Sequence, residues 1–190
     1  MSFGLPTTLQ VNGRDEPIRY EYTAILEAIS AMNDPNYSDE ENAQAALYII
    51  YENFENFSRD DYAPAFKAAM EFLNNGLGDD GKEHVRMVDF EQDFKIMIPA
   101  INKVAGEEVR ARDDIHWWTF LSWFMEIGES TYSTVLTIRS KRNKGKKLEK
   151  WEQEFYTANR AMVDIQRRMS DEEKAEQEAW EERMNALLDS

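Results

Sequence analysis

Apolar residues recur along most of this chain at the spacing of an α-helix. Tyr22, Ile25, Leu26 and Ile29 follow an i, i+3, i+4, i+7 pattern, which places their side chains on one helix face. Several helical segments are preceded by a serine with an acidic residue three positions later, which is the capping-box signature. The pairs are Ser38 with Glu41, Ser58 with Asp61, and Ser170 with Glu173. The pattern predicts about seven helices in all.

Some helix boundaries are less regular. One helix is predicted over 39–56 and a long one over 148–169. Pro99 lies inside the helical pattern that follows Asp89, and it should kink or split that helix. Asp113 is the predicted cap of a tryptophan-rich segment that Gly128 closes. Residues 74–82 contain three glycines and two aspartates and are predicted to form a loop.

The first residues predict a β-hairpin. Leu9 and Val11 alternate with polar residues, and Asn12-Gly13 is a turn signal, because both positions of a type I′ turn need positive φ. The return strand is predicted over 14–19, where Pro17 indicates an edge strand or a short one. The predicted fold class is mainly α, with an N-terminal β-hairpin packed on a multi-helix bundle and long C-terminal helices. Composition divides the chain into a core domain at 1–150 and a helical C-terminal extension at 151–190.

Composition excludes several kinds of protein. The 190 residues include 22 Lys plus Arg and 37 Asp plus Glu, a net charge of −15, so phosphate and anionic membranes repel the chain. Cysteine is absent, which excludes disulfides and thiolate metal sites. No targeting signal occurs at 1–11, and no apolar run reaches the roughly 20 residues of a membrane-spanning helix. We expect a cytosolic protein with neither membrane nor nucleic acid as partner.

The most unusual segment is Ile115-His116-Trp117-Trp118-Thr119-Phe120-Leu121-Ser122-Trp123-Phe124-Met125. Its polar residues fall on one narrow stripe, and a helix that is apolar nearly all round is typical of a buried central helix. The predicted core residues are Ile115, Trp117, Trp118, Phe120, Leu121, Trp123 and Phe124. Alternatively, one face is exposed and docks a partner chain, since tryptophan is frequent at binding hot spots.

Candidate catalytic and metal-binding residues are few. The two histidines are His84 and His116, and neither belongs to a spacing that would ligate zinc. No nucleophile elbow, P-loop or dinucleotide-binding motif occurs, and the many acids form no constellation that would tune their pKa values. We therefore expect no catalytic residue, no cofactor, no metal and no enzymatic activity.

One basic run interrupts the acidic sequence. It comprises Arg139, Lys141, Arg142, Lys144, Lys146 and Lys147. Such a run is compatible with RNA or DNA, but it lacks the interleaved aromatic residues that stack on single strands. The favoured interpretation is a helix end and loop, where the helix dipole stabilises cations and an acidic surface of a neighbour pairs with them.

The segment 170–190 is predicted to be an acidic amphipathic helix. Trp180, Met184, Leu187 and Leu188 form an i, i+4, i+7, i+8 stripe and are the candidate partner-binding residues. One interpretation is that this helix folds back on the body of the protein. The other is that it docks on a partner or on another copy of the chain.

The order of the motifs resembles a known family. The motifs are Leu5-Pro6-Thr7-Thr8-Leu9-Gln10-Val11-Asn12-Gly13 with Pro17-Ile18, then Val88-Asp89-Phe90-Glu91-Gln92-Asp93, Ile115-His116-Trp117-Trp118-Thr119-Phe120 and Ile138-Arg139-Ser140. They resemble the bacteriophage "gene product fifteen" family of siphophage tail modules. The resemblance covers roughly residues 3–165 and does not include 170–190. Pro99 departs from it, because an uninterrupted helix is expected there.

The resemblance implies a role in tail assembly. The family is encoded between the major tail protein and the tape-measure protein of long non-contractile tails, where tail assembly chaperones are normally encoded. Such chaperones coat the apolar tape-measure helix, recruit tail-tube subunits and are absent from the virion. The resemblance thus implies a self-associating chaperone in the host bacterial cytoplasm, with tape-measure and tail-tube proteins as partners. The alternative is a structural tail or connector subunit retained in the virion.

Overall fold

Helices make up most of the described chain, and one small antiparallel sheet precedes them. The computed structural model describes residues 4–75 and 86–188, so His84 and most of the predicted loop at 74–82 lie outside the described residues. The strands are β1 (Thr8–Val11) and β2 (Arg14–Pro17). The helices are α1 (Tyr22–Ala31), α2 (Asp39–Ile50), α3 (Tyr62–Leu73), α4 (Phe90–Ala105), α5 (Trp117–Met125), α6 (Thr131–Asn143), α7 (Lys150–Ala158), α8 (Arg160–Val163) and α9 (Asp171–Leu188). The mainly α fold class with an N-terminal hairpin is confirmed.

The hairpin turn has the predicted backbone and is fastened to the start of α3. Asn12 and Gly13 have φ values of 50° and 80°, as the type I′ turn requires. The Asn12 side-chain amide and the Arg14 guanidinium donate to Asp61 Oδ1 at 2.8 and 3.0 Å. The Ser58 hydroxyl donates to the other Asp61 oxygen at 2.7 Å. Because an isolated hairpin is marginal in water, these contacts and the packing of β1 on α3 hold it.

Most predicted helix starts are confirmed, and several boundaries are corrected. The three capping boxes begin α2, the 3₁₀ turn Arg59–Asp61 before α3, and α9. The helix predicted over 39–56 ends at Ile50, and a 3₁₀ turn occupies Phe54–Asn56. Pro99 does not split α4. The helix continues to Ala105, and Gly106 caps it in the left-handed backbone conformation. His116, and not Asp113, caps α5.

The prediction of one long helix over 148–169 is wrong. It is broken into α7 and α8 at Asn159, and residues 165–170 are not helical. A continuing helix would need the carbonyls of Met162 and Val163, but the Arg139 guanidinium occupies both, at 3.0 and 2.6 Å. The Gln166 N–H donates instead to the Gln92 side chain at 2.9 Å.

Two apolar clusters make up the core. The larger one joins the hairpin, α1 to α5 and the start of α6, with Val11, Ile25 and Trp117 among its buried side chains. The smaller one contains Val135, Ile138, Tyr156 and Val163 from α6, α7 and α8. Tyr156 and Val163, which follow residue 150, thus pack with Val135 and Ile138 of α6.

The Arg139–Asp93 ion pair lies between α6 and α4. Its side chains are 5% and 1% exposed, and two parallel bonds of 2.6 and 2.8 Å join them. The remaining Arg139 donors reach the carbonyls of Met87, Met162 and Val163, so all five guanidinium N–H groups are bonded. One side chain of α6 thus fixes α4, the segment before α4 and the end of α8.

Replacing Arg139 with methionine should lower the free energy of unfolding by about 3–5 kcal/mol, because Asp93 is then a buried charge without a counterion. Chemical denaturation measures this loss. The control is Arg142→Met, since Arg142 is 42% exposed and should cost less than about 1 kcal/mol. The double variant Arg139→Met/Asp93→Leu should lose less than the sum of the single variants. Equal losses for Arg139→Met and Arg142→Met would contradict this account.

The hairpin anchor should give the stability a dependence on pH. Hydrogen bonds from the Ser58 hydroxyl, the Ser58 N–H and Asn12 hold the pKa of Asp61 well below its usual range. A carboxyl with a lowered folded-state pKa stabilises the fold above its unfolded-state pKa of about 3.9, and this contribution disappears as the pH falls below that value.

Asp61→Asn should therefore lower the Tm at pH 7, where the charged Asp61 contributes fully, and reduce the loss of Tm on acidification. Thermal unfolding followed by circular dichroism between neutral and acidic pH measures both effects. Asp60→Asn is the matched control, because the neighbouring Asp60 is exposed and should change neither quantity. An unchanged acid dependence in Asp61→Asn would rule out this anchor.

Candidate partner-binding surface

The histidine of the tryptophan-rich segment has a structural position. His116 Nδ1 accepts the Trp118 N–H at 3.0 Å and thereby caps α5. Because Nδ1 accepts, Nε2 carries the proton and donates to the Pro6 carbonyl at 2.9 Å. The Tyr20 ring stacks on the imidazole with 5.1 Å between centroids. Both ring nitrogens are engaged, so neither is available as a base or a metal ligand.

The adjacent tryptophans bind the end of α3. Indole N–H groups of Trp117 and Trp118 donate to the carbonyls of Leu73 and Phe72 at 3.1 and 2.8 Å. These carbonyls belong to the last turn of a helix, which lacks partners within the helix. The segment thus joins α5 to α3. The backbone N–H of Trp117 also donates to the carbonyl of Tyr20, just before α1.

The predicted core residues of α5 are not buried equally. Ile115, Trp117 and Phe120 are at most 4% exposed. Trp118, Leu121, Trp123 and Phe124 are partly exposed and pack against the core. The helix is therefore not buried on all sides, and Met125 at its end is 59% exposed.

The basic run is divided between structural and exposed residues. Arg139 is buried as described. Lys141 donates to the buried Glu152 at 2.6 Å, and the Arg142 guanidinium lies 4.1 Å from the centre of the Tyr156 ring. Lys144, Lys146 and Lys147 are exposed between α6 and α7. The first three cations thus pair within the chain, and the last three face solvent.

Trp151 follows the exposed lysines and was not predicted as a surface residue. It is 52% exposed, and its indole N–H donates to Glu149 at 3.0 Å. Leu148 and Phe155 lie three residues before it and four after it. That spacing is also typical of a core tryptophan, so the sequence contains no signal that distinguishes an exposed tryptophan from a buried one here.

The base of α9 is fixed to the body. The Asp171 N–H donates to the Asn36 side chain at 2.8 Å, and Arg168 just before the helix donates to the Ser30 carbonyl at 3.2 Å. Arg168 also pairs with Glu91 at 2.9 Å. These contacts attach α9 beside the end of α1 and the start of α4.

The distal part of α9 does not fold back on the body, so that interpretation of 170–190 is wrong. Trp180, Met184 and Leu187 are 56%, 37% and 69% exposed. Leu188 ends the helix, and its side chain lies outside the described residues. Trp180 stands roughly 14 Å along the helix axis from Asp171, at 1.5 Å per residue. The structure therefore presents three of the four candidate partner-binding residues on the exposed surface of an acidic helix.

Other kinds of site find no support in the described residues. Within 4–75 and 86–188, no three His, Cys, Asp or Glu side chains are grouped so as to hold a metal ion. No helix in the same ranges combines the length and apolar character of a membrane span. No known protein family, curated protein or solved structure matches this chain.

The two tryptophan environments should respond differently to truncation. Trp117→Ala should lower the free energy of unfolding by about 3–5 kcal/mol, because it leaves a cavity in the core and frees the Leu73 carbonyl. Trp180→Ala should change it by less than about 0.5 kcal/mol, as expected for an exposed side chain. Urea denaturation of both variants measures the difference. A comparable loss in Trp180→Ala would mean that α9 packs on the body.

Proposed function

We propose that this protein is a phage tail assembly chaperone that binds the tape-measure protein during long-tail morphogenesis in the host cytoplasm. The observation that carries the proposal is the exposed apolar stripe of α9, formed by Trp180, Met184 and Leu187. The order of motifs, which resembles that of the siphophage tail family, supports it independently.

The stripe has the chemistry needed to hold an apolar helix. Its residues are spaced i, i+4, i+7, as in helices that pair along one face. Tryptophan supplies a large rigid contact, and methionine adapts to varied partners, which suits a client without a single repeating sequence. The net charge of −15 would keep a complex with an apolar client in solution.

The size of the stripe favours several copies on each client. Burying the exposed parts of these three side chains contributes roughly 2–5 kcal/mol. Loss of translational and rotational freedom on association costs about 4–15 kcal/mol. One α9 would therefore bind weakly, whereas several copies along one tape-measure helix would bind with high avidity.

In this proposal the protein has no catalytic step, and its His-Trp-Trp block has a structural role. His116 uses both ring nitrogens to cap α5 and hold Pro6, and the two tryptophans bind α3. The competing candidate is a structural tail or connector subunit, which would use the same stripe for a permanent contact in the virion.

Co-expression with a fragment of the neighbouring tape-measure protein tests the proposal. The fragment should be soluble with the native chain and should co-purify with it in a defined multimer, detected by light scattering. Replacing Trp180, Met184 and Leu187 by serine should abolish this capture, because the apolar contact is removed. The matched control is Tyr48→Ser on α2, because Tyr48 is 55% exposed, close to the 56% of Trp180.

Three outcomes would contradict the proposal. A fragment that precipitates with the native chain present would exclude chaperone activity toward this client. Stoichiometric protein in purified virions, measured by mass spectrometry, would favour the structural subunit. An equal effect of Tyr48→Ser would show that capture does not depend on α9.

A further inference from the structure

Four lysines and one tryptophan form a basic surface, which we call the lysine patch. It consists of Lys144, Lys146, Lys147, Lys150 and Trp151. The segment 144–151 has four lysines and one glutamate, a local charge of 4 − 1 = +3 in a chain of net charge −15. Within 4–75 and 86–188, none of these ammonium groups forms a salt bridge, whereas the neighbouring Lys141 pairs with Glu152.

The complementary surface lies on α9 of the same chain. From Asp171 to Leu188 the helix has seven acids and two cations, a charge of 2 − 7 = −5. Glu178 and Glu182, four residues apart, form an acidic edge, with Ala175 and Ala179 beside it. Alanines next to the acids offer a smooth strip on which the flat Trp151 ring can lie.

Within one chain these two surfaces do not pair. The base of α9 is attached at Asn36, Ser30 and Glu91, beside α1 and α4. The lysine patch spans the segment after α6 and the first two residues of α7. No salt bridge between the described residues joins α9 to the patch.

We propose that α9 of one copy docks through its acidic edge on the lysine patch of a second copy. Because the two surfaces differ, the contact is heterologous, and a pair of copies retains one unused surface of each kind. Such a contact builds a head-to-tail array or a closed ring. On this acidic chain, the patch is a surface where the acidic helix of another copy meets attraction instead of repulsion.

The contact leaves the proposed client surface free. Glu178 and Trp180 are two residues apart, which is about 200° around a helix of 3.6 residues per turn. The acidic edge and the apolar stripe therefore lie on nearly opposite sides of α9. The self-association stands without the chaperone proposal, but it would supply the array of copies that avidity toward a long client requires.

Charge reversal in the full-length chain tests the contact. One variant carries Lys144→Glu, Lys146→Glu and Lys147→Glu, and the other carries Glu178→Lys and Glu182→Lys. Sedimentation velocity in about 0.01 M and about 1 M salt, where the Debye length is roughly 30 and 3 Å, measures association. The native chain should associate at low salt, and high salt should weaken association by at least about tenfold. Each variant alone should be monomeric, and an equimolar mixture should associate again.

The control reverses three exposed lysines elsewhere, as Lys67→Glu, Lys95→Glu and Lys103→Glu, with the same change in net charge. It should retain most of the association. The proposal is overturned if the native chain is monomeric at low salt, if the control weakens association as much as the patch variant, or if the mixture stays monomeric. Association abolished by nuclease would assign the patch to nucleic acid instead. No tape-measure fragment is present, so these outcomes are independent of the chaperone test.

Discussion

The buried pair of Arg139 and Asp93 is the constraint on which the packing of the C-terminal half depends. Two ions at 5% and 1% exposure are stable together only when every donor and acceptor is satisfied, and here the guanidinium reaches three backbone carbonyls besides the carboxylate. Those carbonyls belong to the segment before α4 and to the end of α8. Satisfying one cation therefore decides where α8 stops and how the smaller apolar cluster meets the larger one.

The junction between α3 and α5 likewise depends on satisfying hydrogen-bonding groups, which are neutral here. The last carbonyls of α3 need donors from outside the helix, and the Trp117 and Trp118 indoles supply them at 3.1 and 2.8 Å. His116 caps the helix that carries both indoles and holds the N-terminal segment through Pro6. The His116-Trp117-Trp118 motif thus satisfies hydrogen-bonding groups at helix ends. The exposed surfaces are therefore where this protein can bind a partner.

Those surfaces divide according to charge and polarity. The body of the protein binds its own cations tightly at Arg139 and Lys141, so the basic run contributes a binding surface only beyond residue 143. The exposed helix α9 combines an apolar stripe with an acidic edge on nearly opposite sides. In the two proposals, one helix would contact an apolar client through its stripe and a basic neighbour through its acidic edge, as a subunit that coats an extended partner in several copies requires.

The sequence by itself determined the features that depend on neighbouring residues. Asn12-Gly13 requires the hairpin turn, the serine–acid pairs begin their helices, and Gly106 ends α4, because each effect acts within a few bonds of the chain. The tertiary structure alone decided which residues of similar type are buried. Arg139 pairs with Asp93, which lies 46 positions away in the sequence. No local pattern distinguishes Arg139 from the exposed Lys144. The break at Asn159 and the exposure of α9 likewise follow from contacts between distant segments, because burial and ion pairing depend on what the fold brings near.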